Sequence, residues 1–171
     1  MDISGYKAVI LAGGKGTRLY PITKEIPKPL LPVKKKPIIN YLVDLFLKSG
    51  VKDIAILISK DYGEDFEWWK KRYYPNLDLK FVQEDKPLGT FGGLFYLKKW
   101  MGKAPFFMTN GDEIKDVNLI DMAKFHGTQS VPATICSIYV NDPQNYGVVI
   151  CEQGRVRKFL EKPQNPPSNY V

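Results

Sequence analysis

Short runs of apolar residues alternate along this chain with longer stretches in which apolar residues recur at helical spacing. The first run, at residues 8–11, is uninterrupted and is soon followed by Gly13 and Gly14. A second run of this kind covers residues 54–58. Continuous apolar runs of this length are typical of strands that are buried on both faces of a sheet. We therefore predict that both runs are central strands.

The remaining segments predict a regular succession of helices and further strands. Helices are predicted at residues 38–49, 63–72, 90–99 and 119–125, and strands at residues 79–83, 105–108 and 133–140. In the helix at 90–99, Phe91, Leu94 and Phe95 are expected to share one face. Because strands and helices alternate, the pattern predicts an α/β fold with an open, mostly parallel sheet and helices on both faces.

The last part of the chain has a different pattern. Residues 148–151 and 156–160 are separated by Glu152-Gln153-Gly154, which predicts a terminal hairpin. Residues 163–171 contain three prolines and are expected to be extended. We expect one domain over residues 1–171, which either ends in a loose tail or is incomplete at its C-terminus.

The charge balance favours anionic partners. The chain contains 25 Lys and Arg residues against 18 Asp and Glu residues, for a formal net charge of +7. Such a surface attracts nucleotides, sugar phosphates and other anions. A solvated turn explains the run Lys34-Lys35-Lys36, so we expect no nucleic-acid partner.

The sequence also bears on the cellular compartment. The first apolar run is far too short to cross a bilayer, and the N-terminus does not resemble a signal peptide. We therefore expect a cytoplasmic protein without a membrane partner. Cys136 and Cys151 lie in apolar runs without metal-ligand spacing, and we expect both to be buried, reduced thiols.

Three glycines follow the first predicted strand, in the stretch LAGGKGTR at residues 11–18. Loops at the carboxyl ends of parallel strands bind ligands in α/β proteins, and glycines let backbone N–H groups approach phosphate oxygens. The stretch is not a P-loop, since Gly16 separates Lys15 from Thr17, and Leu19 stands where a Rossmann fingerprint needs its third glycine. Another kind of phosphate-binding loop and a plain turn both stay open at this point.

The longer stretch LAGGKGTRLYPITKEIPKPLLPV, residues 11–33, resembles the signature of the sugar-1-phosphate nucleotidyltransferases. The motifs PLGTFGGL (87–94), NGD (110–112), YGVV (146–149) and FLEKP (159–163) follow in the family's order. The resemblance implies a Rossmann-like nucleotidyltransferase fold. It also implies transfer of a nucleotidyl group from a nucleoside triphosphate to a sugar 1-phosphate, with release of pyrophosphate.

The resemblance assigns catalytic roles to three residues. Arg18 would hold the leaving end of the triphosphate, Lys28 would contact phosphate near the reacting centre, and Asp112 would bind Mg²⁺. These side chains suit the roles, because guanidinium and ammonium groups bind phosphate oxygens and Mg²⁺ prefers carboxylate oxygens. The alternatives are a surface ion pair for Arg18, a solvated loop lysine for Lys28, and a hairpin turn at Asn110-Gly111 that Asp112 merely serves.

The resemblance also assigns substrate-binding residues. The nucleotide would be bound by Leu11, Ala12, Gly13, Gly14, Gly16, Thr17, Arg18, Gln83, Gly89 and Thr90, of which Gln83, Gly89 and Thr90 would lie at the base. The sugar phosphate would be bound by Tyr146, Gly147, Glu161 and Lys162. Gly89 and Thr90 could equally form only a helix N-cap, and both interpretations can hold together.

Members of the family usually continue well beyond this length and carry a second metal-binding aspartate there. The resemblance therefore implies a domain truncated at its C-terminus. The alternative to an enzyme is a non-catalytic module that binds a nucleotide or a sugar phosphate. Neither the base nor the sugar can be read from the sequence, and a homo-oligomer stays open.

Overall fold

Strands and helices occupy most of the predicted positions in the computed structural model, which describes residues 1–84 and 89–171. The strands are β1 (Lys7–Leu11), β2 (Pro32–Val33), β3 (Lys36–Pro37), β4 (Asp53–Ser59), β5 (Leu79–Glu84), β6 (Phe106–Asn110), β7 (Gly147–Glu152) and β8 (Arg155–Glu161). The helices are α1 (Ile22–Glu25), α2 (Ile38–Lys48), α3 (Gly63–Tyr73), α4 (Gly89–Gly92), α5 (Leu94–Met101) and α6 (Leu119–Thr128).

The chain divides into two units, residues 1–124 and residues 125–171. We describe each unit by itself. The expectation of one domain over residues 1–171 stays a prediction.

The first unit is built on a parallel sheet with the strand order β5-β4-β1-β6. Successive side chains of a strand point to opposite faces, so each central strand supplies two cores. One core contains Ala8, Ile10, Ile54, Ile56 and Ile58, and the other contains Val9, Ala55 and Leu57. The uninterrupted apolar runs of β1 and β4 are thus explained by burial on both faces.

Helices cover both faces of this sheet. Helices α2, α3 and α6 contribute Leu42, Phe66 and Leu119 to the first core, and α5 contributes Leu97 to the second. The predicted open, mostly parallel α/β sheet with helices on both faces is confirmed. Every helix in the described ranges is too short or too polar to span a bilayer.

The helix predicted at residues 90–99 is interrupted in the structure, and two of the three residues expected to share one face are exposed. It is divided at Gly93 into α4 and α5, and Phe91 and Phe95 are exposed while Leu97 is buried. A Cβ atom at Gly93 would lie 2.9 Å from Leu57 Cδ1, so the backbone approaches the sheet closely there. Residue 97 is one helical turn beyond Gly93 and faces the sheet, whereas residues 91 and 95 point away.

The second unit corrects the prediction of a strand at residues 133–140. Only Tyr139 of this segment has a ladder contact, an isolated bridge to Tyr170. The amides of Ile138 and Val171 each donate to the other's carbonyl at 3.0 Å. The segment therefore pairs with the chain's last residues, which gives part of the predicted extended tail a partner.

The two hairpins follow the sequence closely. The predicted terminal hairpin is β7–β8, with positive φ angles of 50° at Gln153 and 74° at Gly154 in its turn. Lys34 and Lys35 form the exposed turn between β2 and β3, as the solvated-turn interpretation predicts.

The prediction that both cysteines are buried is wrong. Cys136 and Cys151 are free and exposed. Cys136 lies in the segment that forms no strand, and Cys151 lies where the β7–β8 register shifts. Apolar neighbours in sequence therefore do not imply burial where pairing is irregular.

A buried polar contact joins α2 to α3 in the first unit. The Trp69 indole Nε1 donates a 2.7 Å hydrogen bond to Asn40 Oδ1, and both residues are almost fully buried. A buried donor that loses its only acceptor costs the free energy of its lost hydration.

We expect Asn40→Ala to lower the free energy of unfolding by about 1–3 kcal/mol, because it leaves the indole N–H buried without an acceptor. Urea denaturation at neutral pH measures this change. Asn76→Ala, in the exposed turn before β5, is the control and should change stability by less than about 0.5 kcal/mol. Equal stability of the two variants would contradict this role for Asn40.

Candidate active site

A cavity of about 550 Å³ opens beyond the carboxyl ends of the parallel strands. Its lining comes from the first unit and consists of Leu11, Ala12, Gly13, Gly14, Lys15, Gly16, Thr17, Arg18, Leu19, Lys28, Pro29, Leu57, Glu84, Gly89, Asn110 and Asp112. The carboxyl ends of parallel strands are the usual ligand-binding edge of an open α/β sheet.

Hydrogen bonds to backbone carbonyls hold both ends of the glycine loop that follows β1. The Ala12 amide donates a 2.7 Å hydrogen bond to the Leu57 carbonyl, which continues the β1–β4 ladder to the start of the loop. Gly16 has a φ of 61°, and its carbonyl accepts a 2.7 Å hydrogen bond from the buried Thr23 hydroxyl. The loop is therefore held at both ends, while the side chains of Thr17 and Arg18 are exposed.

Asp112 is positioned by a close approach between β6 and β1. The Gly111 amide donates a 2.7 Å hydrogen bond to the Leu11 carbonyl, and a Cβ atom at Gly111 would lie only 3.1 Å from that oxygen. Among the described strands β6 pairs only with β1, in parallel, and the next element along the chain is α6, so the Asn110-Gly111 pair does not connect two antiparallel strands. The hairpin alternative for Asp112 is thus excluded.

Lys28 and Asp112 form an ion pair at this edge, with 2.5 Å between Lys28 Nζ and Asp112 Oδ2. Both side chains are about one-third exposed. Pro27 and Pro29 are buried on either side of Lys28 and fix the backbone that carries it. The fold thus brings together a lysine and an aspartate that lie 84 residues apart in sequence.

Most of the predicted nucleotide-binding residues line the cavity. They are Leu11, Ala12, Gly13, Gly14, Gly16, Thr17, Arg18 and Gly89, together with the predicted catalytic residues Lys28 and Asp112. The side chain of Thr90 and the motif residues Pro87 and Leu88 lie outside the described residues.

Gln83 is not among the lining residues. Its amide lies beside α3, where a Cβ atom at Gly63 would be 2.7 Å from Gln83 Nε2. The next residue, Glu84, lines the cavity instead. Neighbouring residues of a strand point to opposite faces, so Gln83 and Glu84 lie on opposite faces of β5. The assignment of Gln83 to the base stays a prediction.

Glu84 is a cavity residue that the sequence motifs did not indicate. Its two carboxylate oxygens lie 3.2 Å and 2.6 Å from the positions that Cβ atoms would take at Gly13 and Gly93. Burial raises the pKa of this carboxyl group above its ordinary value. The alternation of β5 was the available signal, because Val82 packs in the second core and Glu84 lies on that same face.

The predicted sugar-phosphate residues meet at the open end of the β7–β8 hairpin in the second unit. Gly147 pairs with Glu161, and the Lys162 amide donates a 3.1 Å hydrogen bond to the Tyr146 carbonyl. All four residues are exposed. The hairpin therefore gathers them into one small surface.

Comparison with known proteins decides the family. The profile of the nucleotidyl transferase family matches residues 7–171. The chain belongs to this family. The resemblance drawn from the motifs is confirmed, and the parallel sheet is that of a Rossmann-like nucleotidyltransferase fold.

Two similar relatives of this chain come from vertebrates. Mannose-1-phosphate guanyltransferase beta-B of Xenopus laevis is 37% identical over 172 residues, covering 96% of this chain and 47% of that protein. The catalytic subunit beta of mannose-1-phosphate guanylyltransferase from Danio rerio is 38% identical over 171 residues, with the same coverage. The chain thus spans about half the length of the curated relatives it matches.

A solved structure from Bacillus anthracis is also similar. This protein is assigned as a glucose-1-phosphate thymidylyltransferase and was crystallised in complex with sucrose. It is 29% identical to this chain with a TM-score of 0.87, and the match covers 97% of this chain and 68% of the other. This structure therefore shares the fold, and the names of the three relatives differ in base and in sugar.

Asp112 is the residue of the cavity lining best suited to bind a metal ion. Within residues 1–84 and 89–171, no three His, Cys, Asp or Glu side chains are grouped so that they could hold one. The adjacent Glu113 is engaged elsewhere, since its carboxylate accepts a hydrogen bond from Asn110 Nδ2 and pairs with Lys115. A single aspartate still fits Mg²⁺, which is usually bound through one or two carboxylates, water and substrate phosphates.

Two glycines of the loop offer a matched test of its geometry. Gly16→Ala should lower the free energy of unfolding by about 1–2 kcal/mol, because an L-residue is strained at positive φ. In addition, its Cβ atom would lie 3.0 Å from the Thr23 methyl group. Chemical denaturation of both variants measures the difference.

Gly14→Ala is the control, because Gly14 has no atom within 4 Å of its Cβ position and no positive φ. We expect it to be close to neutral. A Gly14→Ala variant as unstable as Gly16→Ala would contradict the role of the left-handed turn at Gly16.

Proposed function

We propose that this nucleotidyl transferase makes a nucleoside diphosphate sugar and pyrophosphate from a nucleoside triphosphate and a sugar 1-phosphate. One observation carries the proposal: a single cavity brings the glycine loop, Arg18, Lys28 and Asp112 together at the carboxyl edge of the sheet. The names of the relatives support the same reaction class, since all describe nucleotidyl transfer to a hexose 1-phosphate.

The proposed reaction exchanges one phosphate–oxygen bond for another. A phosphate oxygen of the sugar 1-phosphate attacks the α-phosphorus of the triphosphate and forms the new bond. The bond from the α-phosphorus to the oxygen that bridges it to the β-phosphorus breaks, and that oxygen leaves with pyrophosphate. Such a step depends mainly on alignment of the two substrates and on neutralising the charge of the leaving group.

The basic residues of the cavity would supply this neutralisation. The exposed Arg18 guanidinium follows the glycine loop and can bind two phosphate oxygens at once, so we place it at the leaving pyrophosphate. Backbone amides of residues 13–17 would bind the same phosphates. Lys28 pairs with Asp112 in the described structure and can bind the α-phosphate when a nucleotide enters.

Mg²⁺ is the metal that this proposal requires, and Asp112 would bind it. When bound, the ion would neutralise phosphate charge and help to align the substrates. Lys28 is the cation that neutralises Asp112 in the described structure, so an ion held by Asp112 would take over that role. The Lys28 ammonium would then be released toward substrate.

The remaining assignments extend this proposal. Tyr146, Gly147, Glu161 and Lys162 would bind the sugar 1-phosphate, with Glu161 accepting from sugar hydroxyls and Lys162 binding the phosphate. We also propose that the protein acts in the cytoplasm, where its two free, exposed thiols would stay reduced.

Pyrophosphate release tests the proposed reaction. The chain is incubated with Mg²⁺ and each pairing of GTP, dTTP, UTP, ATP or CTP with mannose or glucose 1-phosphate. We expect release with at least one pair, its loss in EDTA, and a fall of at least about 100-fold in Arg18→Ala, since charge stabilisation in phosphoryl transfer is worth several kcal/mol. Arg72→Ala is the matched control, because Arg72 is exposed on α3 and stacks on Trp68.

Equilibrium binding of the same nucleotides separates the outcomes. Saturable binding without release from any pair would contradict catalysis by this chain and favour a nucleotide-binding module. Neither binding nor release would contradict the whole proposal. Equal activity of Arg18→Ala and Arg72→Ala would contradict the role of Arg18.

A further inference from the structure

Glu84 and Asp112 lie at opposite ends of the cavity's strand edge. Glu84 is the last residue of β5 and Asp112 follows β6, and the strand order β5-β4-β1-β6 puts these strands at the two edges of the sheet. Three strand spacings separate them, or roughly 14 Å. The glycine loop leaves the strand in between, β1. A ligand that contacts all three must be long, as a nucleoside triphosphate is.

The charged side chains of the cavity favour one orientation of such a ligand. Lys15, Arg18 and Lys28 line the cavity, and Lys28 pairs with Asp112 at one end, while the Glu84 carboxylate at the other end has no ion-pair partner within the described residues. Phosphates are attracted to the lysines and the arginine and repelled by the carboxylate. The triphosphate would therefore lie toward Asp112, and the uncharged nucleoside would lie toward Glu84.

The surroundings of Glu84 suit a flat, partly apolar group. Gly13 and Gly93 lie against its two carboxylate oxygens, and any side chain at Gly93 would collide with Leu57 Cδ1 as well. Gly13, Leu57 and Glu84 line the cavity together, so a base there would lie against a glycine and an apolar side chain. Burial already raises the pKa of the Glu84 carboxyl group. Within the described residues, no side chain or amide donates a hydrogen bond to this carboxylate.

We propose that Glu84 selects guanine by accepting two hydrogen bonds from its N1–H and N2–H₂ groups. The inference rests on the proposed function, because it assigns the base of that reaction's triphosphate. An ionised carboxylate only accepts hydrogen bonds, and its two oxygens match two adjacent donors. Guanine alone among the common bases presents two adjacent donors on its Watson–Crick edge.

Each of the other bases would place at least one hydrogen-bond acceptor against the Glu84 carboxylate. Thymine and uracil have one N–H between two carbonyl oxygens, and both oxygens would repel the carboxylate. Adenine and cytosine place an acceptor ring nitrogen beside their amino group. A site that holds a polar group against an acceptor rejects that ligand strongly, since the group stays unpaired in the complex.

Competition binding tests the inference without requiring turnover. Each Mg²⁺–nucleoside triphosphate is titrated against a fluorescent GTP analogue bound to the chain. We expect wild type to bind GTP at least about 10-fold more tightly than dTTP, UTP, ATP or CTP, as one bidentate base contact allows. Glu84→Gln should weaken GTP binding by a similar factor. It should also raise the affinity for dTTP and UTP relative to GTP, because the glutamine amide can accept a hydrogen bond from N3–H and donate one to a carbonyl oxygen of the base.

Two further variants separate selectivity from general damage. Glu84→Asp keeps the carboxylate and should keep the preference for GTP, with weaker binding overall. Glu67→Gln, on the exposed face of α3, should leave every affinity unchanged. Circular dichroism confirms that each variant is folded, and Glu84→Asp carries the test if Glu84→Gln does not fold.

The outcomes distinguish this inference from the proposed function. If wild type binds no triphosphate, the proposed function itself fails. If it binds triphosphates without a preference for GTP, or if folded Glu84→Gln keeps the wild-type preference, only the role of Glu84 is overturned. A Glu84→Asp variant that loses the preference while staying folded would overturn it as well.

Discussion

A 2.7 Å hydrogen bond from the Gly111 amide to the Leu11 carbonyl joins the ends of β1 and β6 where the cavity begins. Any larger residue at position 111 would push against that carbonyl and against Ile10. The contact places Asp112 beside the start of the glycine loop, and Lys28 then reaches Asp112 from the proline-flanked turn. The site therefore depends on one close backbone approach between two parallel strands.

The same sheet orders the charges of the site. β1 lies at the centre and supplies the glycine loop, while the strands at the two edges supply a carboxylate each. The two carboxylates differ in their surroundings. Asp112 is paired with Lys28, whereas Glu84 lies among glycines and is partly desolvated, which raises its pKa. A metal-binding role suits the first environment, and recognition of neutral donors suits the second.

The sequence alone was sufficient for the sheet and for the central part of the site. Continuous apolar runs predicted β1 and β4, and the motifs predicted that the loop, Lys28 and Asp112 would act together. The strands are confirmed, and the loop, Lys28 and Asp112 line one cavity, while their joint action stays a prediction. Both features depend on local sequence, because burial on two faces requires an apolar run and a tight loop requires glycine.

The errors come from features that depend on contacts distant in the chain. One continuous helix was expected at residues 90–99, but the chain approaches Leu57 at Gly93 and divides there, so that Leu97 is buried while Phe91 and Phe95 are exposed. Gln83 lies outside the cavity lining because the register of β5 against β4 puts Glu84 there, and its assignment to the base stays a prediction. Residues 133–140 have the composition of a strand, but in the described part of the chain their backbone hydrogen bonds to another segment are made only with residues 169–171.

Hydrogen–deuterium exchange with and without Mg²⁺–GTP tests most directly whether the triphosphate lies on the glycine loop. Bound phosphates would occupy the amides of residues 13–17, so exchange in a peptide covering residues 12–19 should slow markedly. A peptide covering residues 70–79, from the end of α3, should not change. Unchanged exchange at residues 12–19 with GTP saturating the protein would contradict this account.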